Sequence, residues 1–325
     1  MTKIKDFKKE ETVEFECFIA SLNERKTAKG DPFISIVFKD ETGEISGNIW
    51  KTSLESFGYS VNDVVTVFGK VSEYAGNMQI VPNKITFLGK PISTFLKTSE
   101  KNADSMFKEL LERHINTLTS PLCKFILDEM IVNNDTLMKL FTHAPAAKGI
   151  HHPYIHGLLE HVLGLCNMAD SLSVHYKQYF PFLDMDKVKV GLILHDWGKI
   201  YEYEFSTPNI QYTKIGVLQH HIGIATEMVA RTMVKWEAKE GVKKEDREYS
   251  RELLHIIYSH HGELEWGALV KPATVEAQLV HQLDYMDSKM MHIHDLIGQG
   301  QGDIVGLSKR SFTLGNSFLL QKLKE

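Results

Sequence analysis

The chain carries only three cysteines, Cys17, Cys123 and Cys166, far apart and forming no CxxC pair. So sparse and odd a set excludes a disulfide framework and a thiolate zinc site, and suits a reducing cytosol. Long apolar runs are missing too. None approaches the ~20 residues of a membrane span, and no membrane partner is expected. The segment Met1 to Glu11 is charged and lacks the apolar stretch of a signal peptide. Nor is there a surplus of positive charge. Lys and Arg number 37 against 42 Asp and Glu, a formal charge of −5, so no global field advertises a nucleic-acid partner. A polyanion would have to be held by a local patch or by metal.

Histidine shows the sharpest gap. The first 110 residues have none, whereas thirteen of the sixteen fall between His143 and His281. That asymmetry predicts two differently built domains within the 325 residues. Residues 1–90 alternate apolar and polar positions over Val13 to Ser21, Phe33 to Phe38, Glu44 to Trp50, Val64 to Val71 and Met78 to Leu88, with a short helical piece, Lys51 to Phe57, after the third. Five strands with a helix between the third and fourth is the order of an OB-fold β-barrel, which binds oligonucleotides across strands 2 and 3 and the flanking loops. The candidate contacts are Arg25, Lys26 and Lys29 in the first loop, Phe33 on strand 2, Trp50 after strand 3 and Tyr74 in the last loop. Aromatics stack on bases and cations follow phosphates. Against this, half or more of such aromatics serve a barrel as core, and residues 1–90 hold 12 basic and 13 acidic side chains. Affinity for a polyanion should be modest.

Residues 91–105 are polar and read as a linker, and from Met106 to residue 325 the pattern is helical. Ser120-Pro121 marks a firm helix start, an N-cap followed by a first-turn proline. A helix over about Tyr154 to Ser171 sets Leu158, His161, Val162 and Leu165 on one face. The apolar residues of 188–194 have no polar face, so this helix should be buried all round, and it ends in His195-Asp196-Trp197-Gly198-Lys199. Further helices open near Leu218-Gln219-His220-His221, run from Arg251 to His260-His261, and run from Ala273 to Met290 with Asp284 and Asp287. Inward-facing His or Asp thus falls on five helices: His161, His195 with Asp196, His220, His260 and Asp284. One or two such residues are ordinary packing; five are not. Imidazole and carboxylate without thiolate suit Mn²⁺, Fe²⁺, Co²⁺ or Zn²⁺ in a catalytic site. The segment Phe318-Leu319-Leu320 would pack either on its own domain or on a second copy, which leaves a homo-oligomer open.

The order His, His-Asp, His, His-His, Asp resembles the HD superfamily of metal-dependent phosphohydrolases. It does so most closely in His151-His152-Pro153-Tyr154 leading to Gly157-Leu158-Leu159-Glu160-His161, in Leu194 to Lys199, and in Ser259-His260-His261-Gly262 with Glu265-Trp266-Gly267 and Pro272. With an OB-like domain in front, the chain resembles the YhaM-type 3′-to-5′ exoribonucleases of Gram-positive bacteria. The fold this implies is a multidomain one, an N-terminal OB-fold β-barrel followed by an all-α HD domain. The activity implied is hydrolysis of single-stranded RNA, or also single-stranded DNA, from the 3′ end to nucleoside 5′-monophosphates.

The resemblance further implies two divalent ions per chain, manganese foremost, with cobalt, iron or zinc as alternatives. His161, His195, Asp196 and Asp284 would hold one, His220 and His260 the other, and Asp196 would bridge them. The first member of each His doublet is favoured, although the doublets leave that open. Asp196 and Lys199 carry the catalytic roles, Lys199 as a point charge on a non-bridging phosphate oxygen. The His doublets are one departure from the pattern, and His156-Gly157, where such proteins often have Gly-Gly before Leu-Leu-Glu-His, is another; the Gly-Tyr-Pro of the cyclic-dinucleotide branch is missing after His261, which argues against that substrate. Two other readings compete, an HD-type phosphohydrolase of small nucleotides with a regulatory barrel, and a non-catalytic RNA-binding regulator.

Overall fold

The computed structural model describes residues 2–74, 76–149, 151–208, 210–298, 306–308 and 310–319. Leu320, in the apolar C-terminal segment, lies outside them. The chain divides into two compact units, residues 1–97 with 205–210, and residues 98–204 with 211–325.

The first unit is a closed five-stranded barrel in the order β1-β2-β3-β5-β4, formed by β1 (Thr12–Lys26), β2 (Pro32–Lys39), β3 (Glu44–Trp50), β4 (Val64–Tyr74) and β5 (Asn77–Phe87). A one-turn helix, α1 (Leu54–Phe57), separates β3 from β4. Alternation fills the barrel: Val13, Phe15, Cys17 and Ile19 of β1 meet Ile34, Ile36 and Phe38 of β2 and Val65, Val67 and Val71 of β4. On the opposite face of β1, by the same alternation, Phe18 packs with Val64 and Phe95. Phe95 belongs to a 3₁₀ turn, Ile92–Phe95. The expected linker 91–105 is therefore ordered structure. Its first part is apolar enough to join the barrel, while Ser99 bonds within the second unit, its N–H to the Ile155 carbonyl at 2.9 Å and its Oγ to Glu160 at 2.6 Å.

The second unit is helical: α2 (Ala103–Leu110), α3 (Pro121–Leu127), α4 (Asp135–His143), α5 (Gly157–Tyr176), α6 (Met185–Leu194), α7 (Lys199–Glu202), α8 (Lys214–Glu240), α9 (Lys244–Ser259) and α10 (Val275–Gly298), with a small hairpin of β6 (Tyr203–Glu204) and β7 (Gln211–Tyr212). Ser120 caps α3 from Oγ to the Cys123 N–H, as its sequence suggests. Helix α6 is the hub. Val188, Val190 and Gly191 to Leu194 are buried, and α5, α9 and α10 pack around it. Gly191 permits the α9 approach, since a Cβ there would sit 2.7 Å from Ile256 Cγ2. Helix α9 begins seven residues before Arg251, through a solvated segment with no apolar stripe to announce it. All three cysteines are buried, and burial pushes their thiols up, Cys123 to about 12. Among the described residues no helix is long and apolar enough to cross a membrane.

The barrel closes where β3 meets β5 in parallel, Ser46 opposite Gln79 and Gly47 opposite Ile80. A Cβ on Gly47 would lie 2.6 Å from the Ile80 carbonyl oxygen, which is backbone and cannot swing aside. We expect Gly47→Val to weaken the barrel by about 1–3 kcal/mol. Hydrogen exchange would show faster exchange of β3 and β5 amides with helical-unit protection unchanged; equal protection of the seam would refute this account of closure.

Candidate active site

Helix α6 delivers His195 and Asp196 at its C-terminal end, where Trp197, fully buried against Phe141, anchors the turn into α7. His161 reaches the same point from α5, Asp284 from α10, His221 from α8 and His260 from the end of α9. The imidazole Nε2 of His161 is 3.3 Å from Asp284 Oδ1 and 3.8 Å from Asp196 Oδ2, and that of His195 is 3.7 and 3.3 Å from the same two oxygens. Across Asp196, Oδ1 lies 3.4 Å from His221 Nε2 and 3.8 Å from His260 Nε2. One carboxylate thus faces two imidazole pairs with its two oxygens.

Each ring is held from behind through Nδ1: His195 by the Leu192 carbonyl (2.8 Å), His260 by the Ile257 carbonyl (2.8 Å), His161 by Asp287 (2.7 Å) and His221 by Glu202 (3.2 Å). That arrangement turns each Nε2 to the centre, the orientation second-layer partners give to metal-binding imidazoles. Those four Nε2 atoms and Asp196 Oδ1 are buried and make no hydrogen bond. Buried polar atoms left without partners are costly, and five around one point, all hard or borderline donors, fit divalent cations.

Charge is balanced tightly. Burial works against ionised Asp196, but Lys199 and His195 outweigh it and hold the carboxyl well below its usual range. Burial likewise opposes a charged His195, yet Asp196 and Asp284 raise it to about 10. On the other side burial, reinforced by His195, keeps His260 neutral far below its ordinary value, and burial with His221 lowers His261 to about 4.

Two expected site residues stand elsewhere. His220 is half exposed, its Nε2 3.3 Å from Glu202, and it is His221 that faces Asp196. The reason is a break in α8: His220 has φ 58 and ψ 160, which rotates the next residue inward, where its N–H also bonds Glu202 at 3.0 Å. Such strain persists only when the surroundings over-determine it. Lys199 is buried and committed rather than open to an incoming phosphate. Its Nζ bonds Asp196 Oδ2 at 2.6 Å and the Ala146 carbonyl at 2.5 Å.

Sequence reasoning gave no role to Asp287, Glu202 or His151. Asp287 lies one turn beyond Asp284, and Glu202 one turn beyond Gly198; the spacing was available, but only contacts reveal what they hold. His151 and His152 adopt φ 43 and 53, and His151 lines the cavity in front of Asp196. His156 takes the left-handed conformation that glycine adopts most readily (φ 68, ψ 5), steadied by Nδ1 against the Thr142 carbonyl at 2.5 Å.

On the barrel, Arg25 pairs with Phe33 and Phe33 with Trp50 across β1, β2 and β3, and the Phe33 and Trp50 rings lie 4.8 Å apart. Trp50 is exposed and belongs to no core. Arg25 and Lys26 are on the end of β1 rather than in the loop, which retains Lys29, because β1 keeps its ladder to β2 through Lys26 opposite Pro32. Tyr74, exposed at the end of β4, pairs with Asn77 and so stands toward the Glu44 end of β3, away from Trp50.

Residues 158–289 match the HD domain family, and residues 20–88 match an OB-fold nucleic acid binding domain. Over nearly its whole length the chain is similar to proteins described as 3′-5′ exoribonuclease YhaM. Identity is 30% over 329 residues with that of Listeria monocytogenes and 29% over 328 residues with that of Listeria innocua, covering 95% of this chain and 97% of each relative. With that of Halalkalibacterium halodurans it is 31% over 286 residues, 86% of this chain and 84% of the relative.

Because Asp196 and Asp284 favour the charged form of His195, a cation taken up at its Nε2 has to displace a proton. Calorimetric titration with Mn²⁺ should show affinity rising between about pH 6 and 8, roughly tenfold per unit for each proton released. A flat profile would remove His195 from the ligand set.

Proposed function

Since the chain belongs to the YhaM family of 3′-to-5′ exoribonucleases, we propose that it is a metal-dependent 3′-to-5′ exoribonuclease. Its HD unit trims single-stranded RNA from the 3′ end to nucleoside 5′-monophosphates. The observation that carries the reading is the set of five buried, unpartnered atoms converging on Asp196: Nε2 of His161, His195, His221 and His260, and Oδ1 of Asp196 itself.

His161, His195, Asp284 and Asp196 Oδ2 would hold one divalent ion, and Asp196 Oδ1, His221 and His260 a second, with Mn²⁺ foremost. Bound there, such ions supply Lewis acidity, making hydroxide available near neutral pH and offsetting charge that develops on a phosphodiester. The chain's own groups do the positioning. Asp287, Glu202 and the Leu192 and Ile257 carbonyls fix the four rings, so little reorganisation is needed when substrate arrives. Lys199 pins one Asp196 oxygen and brings a positive charge into the same cavity. Single strands suit this site because a terminal nucleotide must leave its partner to reach a buried centre. On the barrel, the row of exposed Arg25, half-buried Phe33 and exposed Trp50 supports a stacking track for an RNA strand, sequence-tolerant because every base has a π-face.

Full-length protein with Mn²⁺ should shorten a 5′-labelled single-stranded RNA progressively. Asp196→Ala should abolish this with an unchanged far-UV CD spectrum. His221→Ala should cost about 10- to 100-fold or more, the scale of losing a metal-site group, while His220→Ala costs less than about threefold. If His220→Ala proves the more damaging, the second-ion assignment is wrong.

A further inference from the structure

In front of Asp196, His260 and Asp284 lies a cavity of about 300 Å³, and one wall of it is aromatic. Trp266 and Tyr285 stack there with ring centroids 5.5 Å apart and planes within 6°. They are 53% and 40% exposed, so the stack serves no core and leaves ring surface open. Lys289, whose Nζ sits 5.0 Å from the Tyr285 ring centre, lines the same cavity and makes no ion pair among the described residues.

The pair is braced to the metal-site residues. Tyr285 follows Asp284 directly on α10. Trp266 ends a 3₁₀ turn, Leu264–Trp266, that stops at Gly267 with φ 95, and its carbonyl accepts the Nδ1–H of His261 at 2.8 Å. His281 Nδ1 in turn bonds the His260 carbonyl at 2.8 Å, and its ring lies against Gly262, where φ is 80 and a Cβ would come within 2.1 Å. A rigid, exposed aromatic face with an unpaired cation beside it, opening onto a phosphodiester-cleaving centre, has the chemistry of a nucleotide: a flat base and an anionic phosphate. A π-face stacks on any base, which predicts tolerance of base identity.

We propose that Trp266, with Tyr285 behind it, is the subsite that stacks the base of the 3′-terminal nucleotide. This rests on the exoribonuclease reading above. Stacking requires an unpaired base, so the subsite would also make the enzyme reject blunt duplex ends.

The test measures kcat/KM of the Mn²⁺-loaded full chain on 5′-labelled RNA ending in either adenosine or an abasic nucleotide, for wild type, Trp266→Ala and Trp266→Phe. Base–aromatic stacking predicts that wild type loses roughly 5- to 100-fold on the abasic end. Trp266→Ala should lose a similar factor on adenosine and nothing further on the abasic end, and Trp266→Phe should stay within about threefold of wild type. The proposal is overturned if wild type treats both ends alike, or if the Trp266→Ala and abasic losses multiply. Wild type that shortens neither substrate would instead overturn the exoribonuclease reading.

Discussion

A carboxylate in a helical core is unfavourable unless positive charge and hydrogen bonds compensate for lost water. Asp196 is 2% exposed and sits in the turn that follows the buried helix α6. Everything around it answers that constraint: Lys199 within ion-pair distance, two imidazoles on each side, and a second carboxylate, Asp284, to balance the imidazoles it shares. The helices α5, α6, α8, α9 and α10 converge because each brings one group that this charge balance needs. The outer layer of Asp287, Glu202 and two main-chain carbonyls then holds those groups in one orientation.

The two units offer surfaces of different chemistry. The barrel presents exposed aromatics and cations on a ladder-bonded surface, where stacking and phosphate contact are cheap to provide. The helical unit excludes water, and exclusion is what lets a few charges act strongly on each other. Within the helical unit, Trp266 and Tyr285 keep exposed ring surface, while the Trp266 carbonyl is bonded to His261, next to His260.

Much of this was legible in the sequence. Period-two alternation located all five strands because each has one face in the barrel, and the only real differences were extensions, as at Leu22 to Lys26, where solvated residues keep the ladder without showing a pattern. The five helices carrying His or Asp were legible for the same reason, a mixed signal of leucine and histidine on one face. What escaped was anything decided by a single dihedral or by tertiary contact. The choice between His220 and His221 turns on one positive φ inside a helix, which no periodicity encodes. Lys199 looks like a free helix-end cation until the Ala146 carbonyl and Asp196 are seen to claim it. The stretch 91–105 is polar on average, yet Phe95 alone is enough to tie its first half to the barrel.

The scarcity and burial of cysteine carries a consequence for durability. Cys17, Cys123 and Cys166 are enclosed and held as protonated thiols, whereas peroxide and disulfide exchange attack exposed thiolates. The donor groups around Asp196 contain no sulfur at all. An oxidant that would inactivate a thiolate-ligated centre therefore finds no thiolate among the groups that converge on Asp196.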